Sequence, residues 1–285
     1  MSLKTDRLEY ERAYAERSNQ LIYVDPQSAE ARIINWSPNM LLIAASAEHG
    51  ENIARLFDSL VERDSFLQWT RPGEPAENLA GYYKRTPLSV MHTGITPAAF
   101  GASYVDMGLN RLRLGRVQNI VVVGELSALQ ENVKLGDLVV ATSAIREDDS
   151  HLSYAHPDLP AVSDARISRA ITTAARATGH PTHVGVCWSC GAGAGIYDPS
   201  LTHRAWELHQ LGVLGNAVEA ATAYLLGSMV GFRVGSLWLA ADSVFEPITW
   251  QHPSPRLDWE QGWSWLVQAG LDALALLAAA SPSES

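Results

Sequence analysis

The chain has 285 residues, 47% of them apolar, and a formal net charge of −10. That length and composition allow a sizeable core, read here as one α/β domain because no Pro/Ser-rich linker divides the chain. No Lys/Arg cluster offsets the acidic balance, which argues against nucleic acid or an anionic membrane as a partner.

The N-terminal stretch MSLKTDRLEYERAYAERSN lacks the apolar core of a signal peptide, and residues 3–20 read as a charged surface helix. The short apolar run Asn39–Ala45 reads as a buried strand. Ile53–Glu62 has helical spacing, with Ile53, Leu56, Phe57 and Leu60 on one face. A strand over Ser89–Gly94 and a helix over Ala98–Leu114 follow. Gln118–Gly124 is a continuous apolar run of the kind found in strands buried on both faces. The turn signal Lys134-Leu135-Gly136 introduces a strand over Asp137–Ala144. Asp164–Thr178 is expected as a helix, His183–Ser189 as a strand and Thr202–Leu211 as a helix.

Asn216–Asp242 reads as a helix, a Gly-containing turn and a buried strand, with Glu219 where the helix begins and Asp242 where the strand stops. Carboxylates at such element ends face the ligand crevice in many α/β proteins. Each also has a plain structural reading. Glu219 suits a helix N-terminus electrostatically, and Asp242 suits a cap or turn. Glu260–Ala280 forms a last helix; its apolar run at 271–280 carries Asp272 and is too short to span a bilayer. A soluble, cytoplasmic protein is expected. Strands alternating with helices predict a three-layer α/β fold with a mixed, largely parallel central sheet flanked by helices. Residues 1–38 are assigned to an N-terminal extension and 39–281 to the domain.

Cys187 and Cys190 form a C-x-x-C pair just after a strand signal. Zinc would need further ligands, and only His183 is close. Small buried thiols are the better reading. No metal and no cofactor are expected.

Four segments, in order, resemble the nucleoside phosphorylase and nucleosidase superfamily, most closely its uridine phosphorylase-like branch. They are His92-Thr93-Gly94-Ile95; Gly124 to Thr142, GELSALQENVKLGDLVVAT; Ser143 to Asp164, SAIREDDSHLSYAHPDLPAVSD; and HVGVCWS with the Asn216–Asp242 segment. The resemblance implies that family's mixed sheet and a homo-oligomer, whether dimer, trimer or hexamer, acting on a nucleoside-like small molecule. The family's ribose motif E-M-E-[AS]-[AS] reads Ala217-Val218-Glu219-Ala220-Ala221. Glu219 then accepts the ribose hydroxyls, while the first acid is lost to Ala217. An ungapped run of 23 residues carries the likeness to Asp242, where purine-specific members protonate the departing base. Such a proton matters because the base leaves with developing negative charge. Burial that raised the pKa of Asp242 would suit it to that role.

The phosphate side departs from the family. Its G-D-P-x-R loop reads Ala45-Ser46-Ala47-Glu48-His49, with His49 about where the Arg belongs. The strand Arg falls on Val122, the turn Ser/Thr on Glu125 and the next Gly on Ser127. At an effective dielectric of ~20, a like charge about 4 Å from phosphate costs roughly 4 kcal/mol. Hydrolysis is therefore expected, with Glu48, Glu51 or Glu125 directing water. Val218, Leu126, Ser127, Trp188, Tyr197 and His49 are the further expected substrate contacts. Two other readings stay open. One is a phosphorylase with a rebuilt phosphate site using Arg71, His49 or a neighbouring subunit's residue. The other is a non-catalytic nucleoside-binding homologue. Arg146 and His151 are expected to be structural.

Overall fold

The structure is a computed structural model that describes residues 9, 12–13, 16, 27, 29–44, 62–63, 78–92, 102–113, 115–147, 154–191, 199–245 and 258–280. In chain order its elements are α1 (Ala29–Ile34), β1 (Asn39–Ala44), β2 (Glu62–Arg63), β3 (Asn78–Tyr83), β4 (Thr86–His92), α2 (Ala102–Leu112), β5 (Asn119–Ala128) and β6 (Leu138–Glu147). There follow β7 (Ala161–Val162), α3 (Ala165–Ala177), β8 (Thr182–Cys190), α4 (Thr202–Gln210), β9 (Gly215–Asn216), α5 (Ala220–Val230), β10 (Arg233–Ser243) and α6 (Trp259–Ala280).

The expected three-layer α/β architecture is present. Fully buried β1 lies between β4 and β5, parallel to both. Along its other edge β5 pairs with β10 in parallel, and β10 pairs with β6 in antiparallel. β6 and β8 are parallel. The two-residue β9 links β8 back to the end of β5. The circuit β5–β10–β6–β8–β9–β5 therefore closes on itself, which removes open edges at the end of the sheet that carries Asp242.

Strand alternation sends successive side chains to opposite faces, and the two cores follow from it. Leu42, Ile120, Val122, Leu126, Trp238 and Ala240 pack under α2 and α5. Leu41, Ile43, Val121, Val123, Leu237 and Leu239 pack under α3 and α6. Helix α5 is buried from Ala220 to Gly227. At Gly227 a Cβ would lie 2.3 Å from Val234, so the helix can approach β10 only without a side chain there. Gly231, at φ 86°, ends the helix in the left-handed region that glycine tolerates best.

Most expected elements appear within a few residues. Asp164 caps α3 as its position suggests, accepting from the backbone N–H of Arg166 and Ile167. Described residues 9, 12, 13 and 16 are helical and exposed. The 1–38 segment includes α1, whose Ile33 and Ile34 are buried. The expected Ile53–Glu62 helix lies outside the described residues except at Glu62, which belongs to a strand and pairs with Tyr82. The strand near Ser89 is the second arm of a hairpin that sequence reading missed. Its turn places Lys84 and Arg85 at φ 47° and 66° without glycine or asparagine, so it carried no turn signal. The tip is held to α6: Tyr83 donates to Asp272 at 2.8 Å and Lys84 pairs with the same carboxylate.

Helix α6 lies within one residue of its expected bounds. At 22 residues it is longer than its C-terminal apolar run, and by length and composition a helix of this kind is able to cross a membrane. Here it is a core helix. Trp263, Leu266, Val267, Leu271 and Leu274 are buried against the sheet.

Candidate active site

Strand β5 is the axis of the site. β1 pairs with it only as far as Gly124, and β9 takes over the same edge at Ser127, opposite Asn216. On the other edge Ser127 pairs with Asp242. Ser127 thus lies between Asn216, three residues before Glu219, and Asp242. Two strand spacings separate the flanking backbones, about 10 Å. Tertiary folding brings to one strand end the segments that carry two acids 23 residues apart in sequence.

Asp242 is 8% exposed. A β-bulge at Ala241 shifts the register just before it, and bulges of this kind re-aim side chains. Its Oδ1 accepts from the backbone N–H of Ser243 at 2.6 Å, and its Oδ2 from Ser127 Oγ at 3.3 Å. The Ser127 hydroxyl can rotate to accept instead, so the contact is compatible with either protonation state of the carboxyl.

Glu219 is 5% exposed and is the residue that precedes α5. Its side chain does not cap the helix. The turn that carries it is held by the last residues of β8. Ala217 N–H donates to Trp188 O at 2.8 Å. Cys190 N–H donates to Asn216 Oδ1 at 3.2 Å. Ser189 Oγ donates to Ala217 O at 2.6 Å and accepts from Ala221 N–H at 3.0 Å. Ser189 is completely buried. No sequence signal marked it, because its partners lie 28 and 32 residues away.

The remaining expected residues divide. Leu126 is not available as a substrate contact through its side chain, which is buried under α5. Trp188 is likewise corrected. It is fully buried with Leu129, Leu208 and Val213, and its indole donates to Glu147 at 2.9 Å. A ring that fills a core and satisfies its N–H inside the fold is not a cleft wall. Val218 is half-buried beside Glu219. Glu125 accepts from the indole of Trp263 on α6 at 3.0 Å. Val122 is completely buried among core side chains. Glu48, His49, Glu51, Tyr197 and His151 lie outside the described residues.

The cysteine pair is structural. Both thiols stand outside any disulfide and are buried. Positions three apart on a strand point to opposite faces, and Cys187 and Cys190 enter different core clusters. Burial pushes the Cys187 thiol up to about 12. His183, the nearest candidate co-ligand, pairs with Asp137 at 2.8 Å instead. Among the described residues no group of three or more His, Cys, Asp or Glu is placed to hold a metal. Arg146 collects the carbonyls of Ala155, His156 and Leu159 at 2.6–2.9 Å. That clamp shapes the segment between β6 and β7.

A closed mixed sheet with α-helices on both faces and two buried acids at one strand end defines the class. The chain belongs to the phosphorylase superfamily, whose family model matches residues 40–258. It is 30% identical over 164 residues to uridine phosphorylase of Thermococcus kodakarensis, a match covering 54% of this chain and 57% of that relative. It is 25% identical over 206 residues to uridine phosphorylase of Escherichia coli K12, covering 69% and 77%. A DeoD-type purine nucleoside phosphorylase of Streptococcus suis is 29% identical over 188 residues, covering 65% and 76%. The fold is similar to a crystal structure of uridine phosphorylase from Vibrio fischeri ES114 complexed with 6-hydroxy-1-naphthoic acid. That likeness has a TM-score of 0.67 at 19% identity and covers 86% of this chain and 92% of that one.

Proposed function

We propose that this protein cleaves the N-glycosidic bond of a nucleoside or related compound and uses water as the acceptor. Glu219 holds the ribose hydroxyls. Two charge-assisted hydrogen bonds from them orient the sugar and place a carboxylate near the developing positive charge. Asp242 protonates the departing base or holds it by a hydrogen bond. As the C1′–N bond breaks, its electron pair stays with the base nitrogen. Water attacks C1′ and gives up a proton to a carboxylate, and free base and ribose result. Glu125, Glu48 and Glu51 are the candidates for that carboxylate.

The observation that supports water over phosphate is the pair Val122 and Glu125. At the two β5 positions where the resemblance calls for a cation and a hydroxyl, one side chain is sealed in the core and the other is a carboxylate facing Trp263. A phosphate dianion is bound by cationic forks and hydrogen-bond donors. Phosphorolysis is the second reading, and the relatives named as uridine and purine nucleoside phosphorylases favour it.

A panel of purine and pyrimidine nucleosides, assayed with and without phosphate, tests both. Free base and ribose released without phosphate is the expected result. Release only with phosphate, yielding ribose 1-phosphate, overturns hydrolysis. Measurable nucleoside binding with no turnover in either buffer identifies a binding homologue.

A further inference from the structure

The first turn of an α-helix leaves backbone N–H groups without helical partners, and the residue preceding the helix usually satisfies one with its own side chain. In α5 that residue is Glu219, and its side chain does not perform this task. The hydroxyl of Ser189, on a different strand, accepts the Ala221 N–H at 3.0 Å. The same hydroxyl donates to Ala217 O at 2.6 Å, so it grips the turn on both sides of Glu219. Its donor and one acceptor site are both used, and the residue is completely buried.

We infer that Ser189 is a positioning residue for the sugar site: it caps α5 from β8 so that the Glu219 carboxylate is not drawn back onto its own helix. The pull it opposes is real, because a helix N-terminus attracts a nearby carboxylate. The loss of the first acid of the ribose motif, replaced by fully buried Ala217, leaves sugar recognition more dependent on this one carboxylate. The inference rests on the assignment of Glu219 to the ribose hydroxyls, and the two are tested by different variants.

The experiment compares inosine and uridine with their 2′,3′-dideoxy analogues, which lack the hydroxyls Glu219 would hold. KM is measured for the nucleosides and inhibition constants for the analogues. Ser189→Ala is expected to raise the nucleoside KM about tenfold, in line with the loss of hydrogen bonds to the turn. Binding of the dideoxy analogues is expected to be unchanged. Added to Glu219→Ala, the same substitution is expected to have no further effect on KM, because both act through one carboxylate. Should Ser189→Ala fail to fold, near-isosteric Ser189→Cys makes the same comparison with a smaller KM rise. Equal weakening of nucleosides and dideoxy analogues, or full additivity with Glu219→Ala, overturns the positioning role alone. Unchanged KM in Glu219→Ala overturns the ribose assignment and the inference with it.

Discussion

The two sides of β5 show different kinds of departure from the family pattern. On the side of β9, α5 and β10 stand Glu219 and Asp242: Ser189 and Cys190 hold the turn that carries Glu219 through Ala217, Ala221 and Asn216, and Ser127 and Ser243 donate to the Asp242 carboxylate. On β5 itself, Val122 and Glu125 stand where the resemblance expects phosphate-binding residues, one packed into the core and the other bound to Trp263. A merely degenerate site would be expected to lose support around its acids as well. Here the supported acids are the ones proposed to handle sugar and base, and the altered positions are the ones proposed to face the nucleophile. On the proposed reading, the change of acceptor is confined to one strand of a shared scaffold.

The largest effect is expected from rebuilding the cation at position 122. Val122→Arg puts a charge without a partner into a dry core and should cost at least about 4 kcal/mol. Thermal unfolding would show a large loss of Tm or an insoluble protein. A stable Val122→Arg protein that gained phosphate-dependent turnover would break the comparison. Next, Glu219→Ala should lower kcat/KM about 100-fold, roughly 2.7 kcal/mol, from charge-assisted hydrogen bonds to the sugar. Steady-state kinetics on a ribonucleoside checks it.

Glu125→Gln sharpens the comparison with less disruption. The amide oxygen can still accept from Trp263, so Tm should hold, while the negative charge disappears. Phosphate should then bind about tenfold tighter, a gain of about 1.4 kcal/mol that is well below the limit set by a like charge at contact. Isothermal titration with inorganic phosphate measures it. If Glu125 directs water, phosphate-independent turnover falls as well; unchanged turnover moves that role to Glu48 or Glu51.

The last effect belongs to Cys187, beneath α5, and is absent near neutral pH. Its thiol is raised from 9.0 to about 12 by burial. Between those values the unfolded chain loses a proton that the folded protein keeps. This thiol therefore lowers stability as pH rises from 9 toward 12, by about 1.4 kcal/mol per pH unit inside that window, and has no effect below it. Urea unfolding of wild type and Cys187→Ala across pH 8–10.5 should show a shallower loss in the variant.

Much of the fold was legible because local signals agreed with it. Asp164 marked the start of α3, Gly136 the turn before β6, and the apolar run at 118–124 the most buried part of β5. The β3–β4 turn was not legible, since Lys84 and Arg85 take left-handed conformations that the hairpin and Asp272 impose. Glu219 and Asp242 stood out as candidates in the sequence, and the residues that support them did not. Trp188 looked like a cleft ring and is core, because its Glu147 partner lies 41 residues away. Ser189 looked like any strand serine.

Residue type and spacing along the chain were enough to point to the family, to most of the long strands and helices, and to Glu219 and Asp242 as candidates. Tertiary structure decided that Asn216 and Asp242 flank Ser127, that Ser189 caps α5 from another strand, and that Glu125 turns to Trp263. Those contacts arise only where β5, β8, β9 and β10 close into one circuit. Partners brought together by closure over long stretches of chain leave no periodicity behind to be read.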